Sequence, residues 1–251
     1  PKILTPVFIK SSLQTRSKIE QITEQRIRKY EKKSGREVTF PIPLEQIVEQ
    51  VLELKFDYDE IEERPGEKIL GGLLPKERKI LINEKHRALF DKKPGLERST
   101  IGHEAGHWDI DIDRTILNYP TLFDSSTVPD CIYRHTQNSG TLAKILKLAA
   151  VNDKANKIYQ KLVAGQDAPE VRSTVDKYQS ALLMPKWLII EAKKNLDFTS
   201  WKDLYELADL AQVTISNLTV RLKKLGLLYI PEGSKELYHS ISEYNGQGEL
   251  F

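Results

Sequence analysis

Hydrophobic and polar positions follow two periods along this chain, and each change of period marks an element. Over residues 16–34, Ile19, Ile22, Ile27 and Tyr30 recur among charges at helical spacing, predicting an amphipathic helix. Glutamates interleave its basic residues, so a solvated helix docked by one stripe accounts for it. Pro41 and Pro43 lead into a second helix over about 44–53, and residues 54–58 then alternate like a half-buried strand. Ile69–Leu74 and Lys79–Asn83, joined by Pro75-Lys76-Glu77-Arg78, predict a β-hairpin. Gly71 and Gly72 weaken a strand interior but admit close approach of another backbone. After the loop 91–97, Ser99 or Thr100 is placed to cap the next helix. Residues 108–140 lose all period, residues 141–164 regain a helical one, and 165–169 break it. A further helix covers about 170–182, and Pro185 can open the next. Thr199 or Ser200 then caps a helix containing Leu204, Leu207 and Ala208, Gln212-Val213-Thr214 turns, and 215–225 forms a helix ended by Gly226.

Strands followed by helices predict an α+β fold, and 251 residues suffice for one good core or two domains. With 38 basic and 36 acidic residues the net charge is +2, so any nucleic-acid affinity must come from a local patch. No apolar run reaches the length of a membrane span, and Pro1–Pro6 carries no secretory signal pattern. The single cysteine, Cys131, excludes an internal disulfide. A cytoplasmic protein is expected.

The chemistry concentrates in His103-Glu104-Ala105-Gly106-His107. Two histidines four residues apart on a helix share one face, so both imidazoles can bind one Zn²⁺. Glu104 then lies beside the metal, where it can take a proton from water and pass it to a leaving amine. Asp109, Asp111 and Asp113 follow closely as helix-end or loop carboxylates, with Asp111 a weaker ligand candidate.

Ile82-Asn83, Arg98, His103–His107, Leu182-Leu183-Met184-Pro185 and Arg221-Leu222-Lys223-Lys224-Leu225-Gly226-Leu227 occur in that order. Over roughly residues 40–230 the chain resembles the ImmA/IrrE family of metallo-endopeptidases. The resemblance implies a minimal zincin-like domain over 1–195, with an insertion at about 109–165, and a helix-turn-helix-like segment and tail over 196–251. It also implies cleavage of a protein substrate, a helix-turn-helix transcriptional repressor, with His103 and His107 as metal ligands and Glu104 as base.

The family's third-ligand position, a glutamate, falls here on Arg172, whose guanidinium cannot ligate zinc. Three readings stand: Asp176, one turn on along the same face, supplies the oxygen; Glu170 does so from an irregular helix start; or the site lacks a third ligand and Arg172 fills the space. The last reading makes the chain a non-catalytic regulatory protein on a peptidase scaffold.

The segment 199–226 reads in two ways: a DNA-contacting helix-turn-helix with Arg221, Lys223 and Lys224, or a helical hairpin packed under the catalytic domain. Gln212 stands where such a turn usually has glycine. Cys131, His135, His86 and His239 lack the companions a second site needs, and Trp108 reads as core. The end, Gln247–Phe251, is similar to the short peptides that bind bacterial sliding clamps, although a frayed tail explains it as well.

Overall fold

A computed structural model of the chain describes residues 16–63, 68–112, 114, 132–135 and 169–246, with backbone only for 132–135 and 169–173. The helical expectation for 141–164, most of the 109–165 insertion, Asp113, Cys131 and the Gln247–Phe251 tail lie outside the described residues.

The architecture is mixed α+β. Helix α1 (Arg16–Ser34) buries Ile19, Thr23, Ile27 and Tyr30, the stripe its periodicity marks, with Thr23 in place of the half-buried Ile22. Helix α2 (Leu44–Gln50) follows, then strands β1 (Lys55–Asp59), β2 (Ile69–Leu74) and β3 (Lys79–Asn83). Strand β2 pairs antiparallel with β3, so the hairpin forms in the expected segments. Its edges are covered, however, because the sheet order is β1-β3-β2-β4. β1 pairs parallel with β3, and β4 (Ile132–His135) pairs antiparallel with β2. β4 corrects the reading of 108–140 as wholly irregular. Four residues gain their strand identity from a partner some sixty positions away, which local pattern does not encode.

Helix α3 (Arg87–Lys92) leads to α4 (Pro94–Gly106), which carries the motif. α4 starts earlier than expected. Pro94 occupies the first turn, where a missing N–H costs nothing, so Ser99 and Thr100 lie inside the helix and cap nothing. Thr100 instead returns its hydroxyl to the Leu96 carbonyl at 2.9 Å. β2 lies against this helix: a Cβ at Gly71 would fall 2.8 Å from Cγ2 of Thr100, which is the close approach the glycine permits.

Helices α5 (Pro169–Leu183), α6 (Lys186–Ala192), α7 (Trp201–Ala211), α8 (Ile215–Leu225) and the short α9 (Ile241–Tyr244) complete the order. One hydrophobic cluster runs through Ile27, Ile47, Leu73, Ile101, Tyr178, Leu207 and Leu222, joining α1, α2, the sheet, α4, α5, α7 and α8. Trp108 belongs to it, and its indole N–H donates to the Leu52 carbonyl at 2.9 Å. Among the described residues, no helix is long and apolar enough to cross a membrane.

Candidate metal centre

From Arg98 to Gly106 every residue of α4 is buried, although Arg98, Ser99, Thr100, His103 and Glu104 are polar. A polar helix in the core is costly unless its groups are partnered, so its partners define the site. Arg98 donates to the Ile42 carbonyl at 2.6 Å and faces Glu45 at 3.4 Å; burial pulls its pKa down against that carboxylate.

His103 and His107 lie one turn apart at 0% and 1% exposure, their rings 5.0 Å apart between centroids and edge to face. Each presents Nδ1 to a carboxylate. Nδ1 of His103 lies 3.0 Å from Oδ1 of Asp176, and Nδ1 of His107 lies 2.7 Å from Oδ2 of Asp111. A carboxylate only accepts, so both contacts select the Nδ1–H tautomer, in which Nε2 is the ring nitrogen that carries a lone pair. Two imidazoles sharing a tetrahedral zinc at about 2.0–2.1 Å sit with centroids roughly 5 Å apart, so the pair fits zinc as two of its ligands. Glu104, fully buried, lies next to His103 on the same helix.

The chain around the motif is shaped for these contacts. Residues His107–Asp111 form a π-turn closed by Ile112 N–H to the His107 carbonyl at 3.1 Å. That turn carries Asp111 back onto His107. Asp109, in the same turn, has its side chain fully buried and receives Arg26 from α1 through two bonds of 2.8 and 2.9 Å. Tyr178 of α5 donates to Asp109 at 3.0 Å, and Arg114 approaches it at 3.3 Å. Burial first, and then the Asp109 charge and its hydrogen bond, push the Tyr178 phenol well above its ordinary value. The π-turn is thus tied to α1 and α5 through one carboxylate.

Glycines set the spacing of α4 and α5. A Cβ at Gly106 would fall 2.8 Å from Cγ1 of Val175, and one at Gly102 would fall 3.1 Å from Cγ of Gln179. The motif's glycine therefore lets α5 come close enough for Asp176 to reach His103.

Asp176, a ligand candidate by sequence, meets Nδ1 of His103, and Asp111, a weaker candidate, meets Nδ1 of His107. In these contacts each carboxylate orients its ring from the edge away from Nε2. Sequence alone marks both aspartates but not this role, which depends on how each ring is turned. Glu170 and Arg172 belong to the first turn of α5, where only the backbone is described. Among the described residues, no group of three His, Cys, Asp or Glu side chains converges as a metal cage.

The helix-turn-helix-like segment resolves toward packing. Gln212 takes the left-handed conformation, φ 52°, that glycine usually supplies in such turns. Arg221, which the DNA-contacting reading needs at the surface, is 3% exposed; it donates to the Met184 carbonyl at 3.0 Å and to both oxygens of Glu20 at 2.5 and 2.9 Å. It ties α8 to α1 and to the end of α5, and is unavailable to a phosphate. The N-terminal end of α8, where a recognition helix meets bases, is docked on α4. Asn217 donates to Ser99 at 3.0 Å, and a Cβ at Gly95 would strike Thr214 N at 2.8 Å. Lys223 and Lys224 are exposed, although Lys224 is packed in part against the protein. That partial desolvation lowers its pKa, opposed by the neighbouring Asp176.

His86, read as solitary, instead meets Glu63 at 2.6 Å beside the buried Asn83. His239 is exposed, and His135 lies on β4. Compared with known proteins, the chain matches no family model, and no curated protein matches it significantly.

Proposed function

We propose that the chain is a zinc-dependent endopeptidase of the ImmA/IrrE type, on a zincin-like fold, acting in the cytoplasm on a protein substrate, a helix-turn-helix transcriptional repressor. The observation that supports this most directly is the pair of buried histidines whose Nδ1 atoms are each taken by a carboxylate, with Glu104 on the same helix. Such carboxylate–histidine pairs fix tautomer and ring direction and raise ligand basicity, and a purely structural histidine pair has no need of two of them.

Zinc bound by His103 and His107 would polarise the scissile carbonyl and bring the pKa of its water to about 7. Glu104 would accept the proton of the attacking water and return it to the departing amine. Asp111 and Asp176 hold the two imidazoles in place, and the Arg26–Asp109–Tyr178 cluster holds the turn that positions Asp111. A substrate strand cannot add beside the β2–β3 hairpin, which is flanked on both sides, so among the described strands main-chain pairing is left to the β1 or β4 edge.

A non-catalytic regulatory role on the same scaffold is the second reading, favoured by Asp176 serving His103 and by arginine at position 172. Cleavage assays on a repressor substrate separate the two. Zinc-dependent cleavage that disappears in Glu104→Gln supports the peptidase. Identical behaviour of the two proteins, with no zinc retained after reconstitution, refutes it.

A further inference from the structure

Helices α1 and α8 lie antiparallel beside α5. Glu20 of α1 accepts both bonds from Arg221 of α8, and one turn earlier Arg16 donates to the Lys224 carbonyl, so a step back on α1 is matched by a step forward on α8. This register gathers Arg16 and Lys224 near Asp176 and Lys177 of α5. Arg16 and Lys224 are exposed, Lys177 is half-buried, and the Asp176 side chain is 44% exposed. Glu20 neutralises Arg221, but among the described residues no carboxylate comes within ion-pair distance of Arg16, Lys177 or Lys224. Three cations from three helices therefore share one patch, bordered by a carboxylate already engaged with His103.

Helix electrostatics account for only one of them. Lys224, in the last turn of α8, complements the dipole of that helix. Arg16 opens α1, whose first turn holds no acidic residue, so its charge faces the positive end of a dipole. Lys177 lies inside α5, away from either end. Like charges held together repel, and an arriving anion relieves them. Duplex DNA is held by footprints of about 6–10 phosphates, and its phosphates would also meet Asp176. Three cations beside a carboxylate match the few negative side chains of a short acidic segment.

We infer that Arg16, Lys177 and Lys224 form a docking surface for an acidic segment of a partner protein. The patch lies on the Nδ1 side of His103, away from Nε2, so what docks there stays clear of the metal side of the ring. That the partner is the substrate, gripped away from its scissile bond, rests on the peptidase reading above; the docking itself does not.

The test is fluorescence anisotropy of fluorescein-labelled hexaglutamate titrated with the full chain, in chelator and at about 50 mM salt, where exposed charges are only moderately screened. Wild type is compared with Lys177→Glu, Lys224→Met and, as a charge reversal at an exposed lysine elsewhere on α1, Lys29→Glu, with circular dichroism confirming that each is folded. An exposed ion pair is worth up to about fivefold in affinity. Lys224→Met should weaken binding by about 3–5-fold, Lys177→Glu, which adds repulsion, by about 10-fold, and Lys29→Glu by less than about twofold. No binding by wild type, or equal losses in Lys29→Glu and Lys177→Glu, would overturn the inference. Labelled duplex DNA bound more tightly than hexaglutamate, and lost in the same variants, would overturn it in favour of a phosphate surface. The assay needs neither metal nor turnover, so its failure leaves the zinc reading intact, and a protein that docks hexaglutamate but holds no zinc keeps the docking surface and loses the peptidase reading.

Discussion

Helix α4 and the α7–α8 pair both carry polar motifs that sequence ties to chemistry, and both are packed into one core. In α4 the buried histidines turn Nδ1 to carboxylates from two other segments, which fixes the direction of each ring. In α8 the buried Arg221 spends its donors on Glu20 and a backbone carbonyl, and the helix start is docked on Ser99. The first arrangement fixes how two buried rings are turned. The second ties helices to one another. A motif is best judged by where its donors and acceptors end, since both motifs look equally chemical in sequence.

The sharpest way to break this contrast is Arg221→Ala. It strands Glu20 and a buried carbonyl, and should lower unfolding free energy in urea by about 3 kcal/mol, the low end for a buried pair because Glu20 is partly exposed. Unchanged stability with lost DNA binding would instead make α8 a DNA reader. On the other side of the comparison, Asp176→Ala or Asp111→Ala should weaken zinc binding about 10–100-fold, roughly 1.4–2.7 kcal/mol, with little change in stability. A chelator competition that finds no change would deny both aspartates their orienting role.

Gly106→Ala probes the crossing that brings Asp176 to His103. Overpacking against Val175 should cost about 1–2 kcal/mol and loosen zinc as well. Glu63→Gln tests a polar pair that belongs to neither motif. Burial raises the Glu63 pKa, but hydrogen bonds with His86 and from the Ile69 amide outweigh it and hold the carboxyl below its ordinary value. Its contribution is therefore present above the unfolded pKa of about 4.3 and lost as pH falls through the lower folded value. Glu63→Gln should flatten the acid limb of a stability–pH curve below about pH 4.3, and an unchanged limb would contradict the pairing. The smallest effect is reserved for Lys223→Glu, an exposed change expected to stay within about 0.5 kcal/mol in urea.

Much of this was legible in the sequence, and the exceptions are instructive. Periodicity located α1, the β2–β3 hairpin, α7 and α8, because each has one apolar face and short-range signals at its ends. It misplaced the start of α4, because Ser99 and Thr100 look like caps while the true start is set by Pro94. β4 and the parallel pairing of β1 with β3 depend on partners distant in the chain, which local pattern does not record. That His103, Glu104 and His107 fall within one helical turn of each other followed from spacing alone. That Asp176 and Asp111 meet Nδ1 could not, since ring orientation arises from packing, here from the close glycine-mediated approach of α5 and the π-turn.

The central claim is that both imidazoles are held by Nδ1 so that Nε2 takes the metal. Nitrogen-15 NMR of the histidine side chains during a zinc titration reads it directly. The account predicts zinc-dependent shifts at Nε2 of His103 and His107, with protonated, hydrogen-bonded Nδ1 retained on both. Shifts at Nδ1, or no response from either ring, would contradict it.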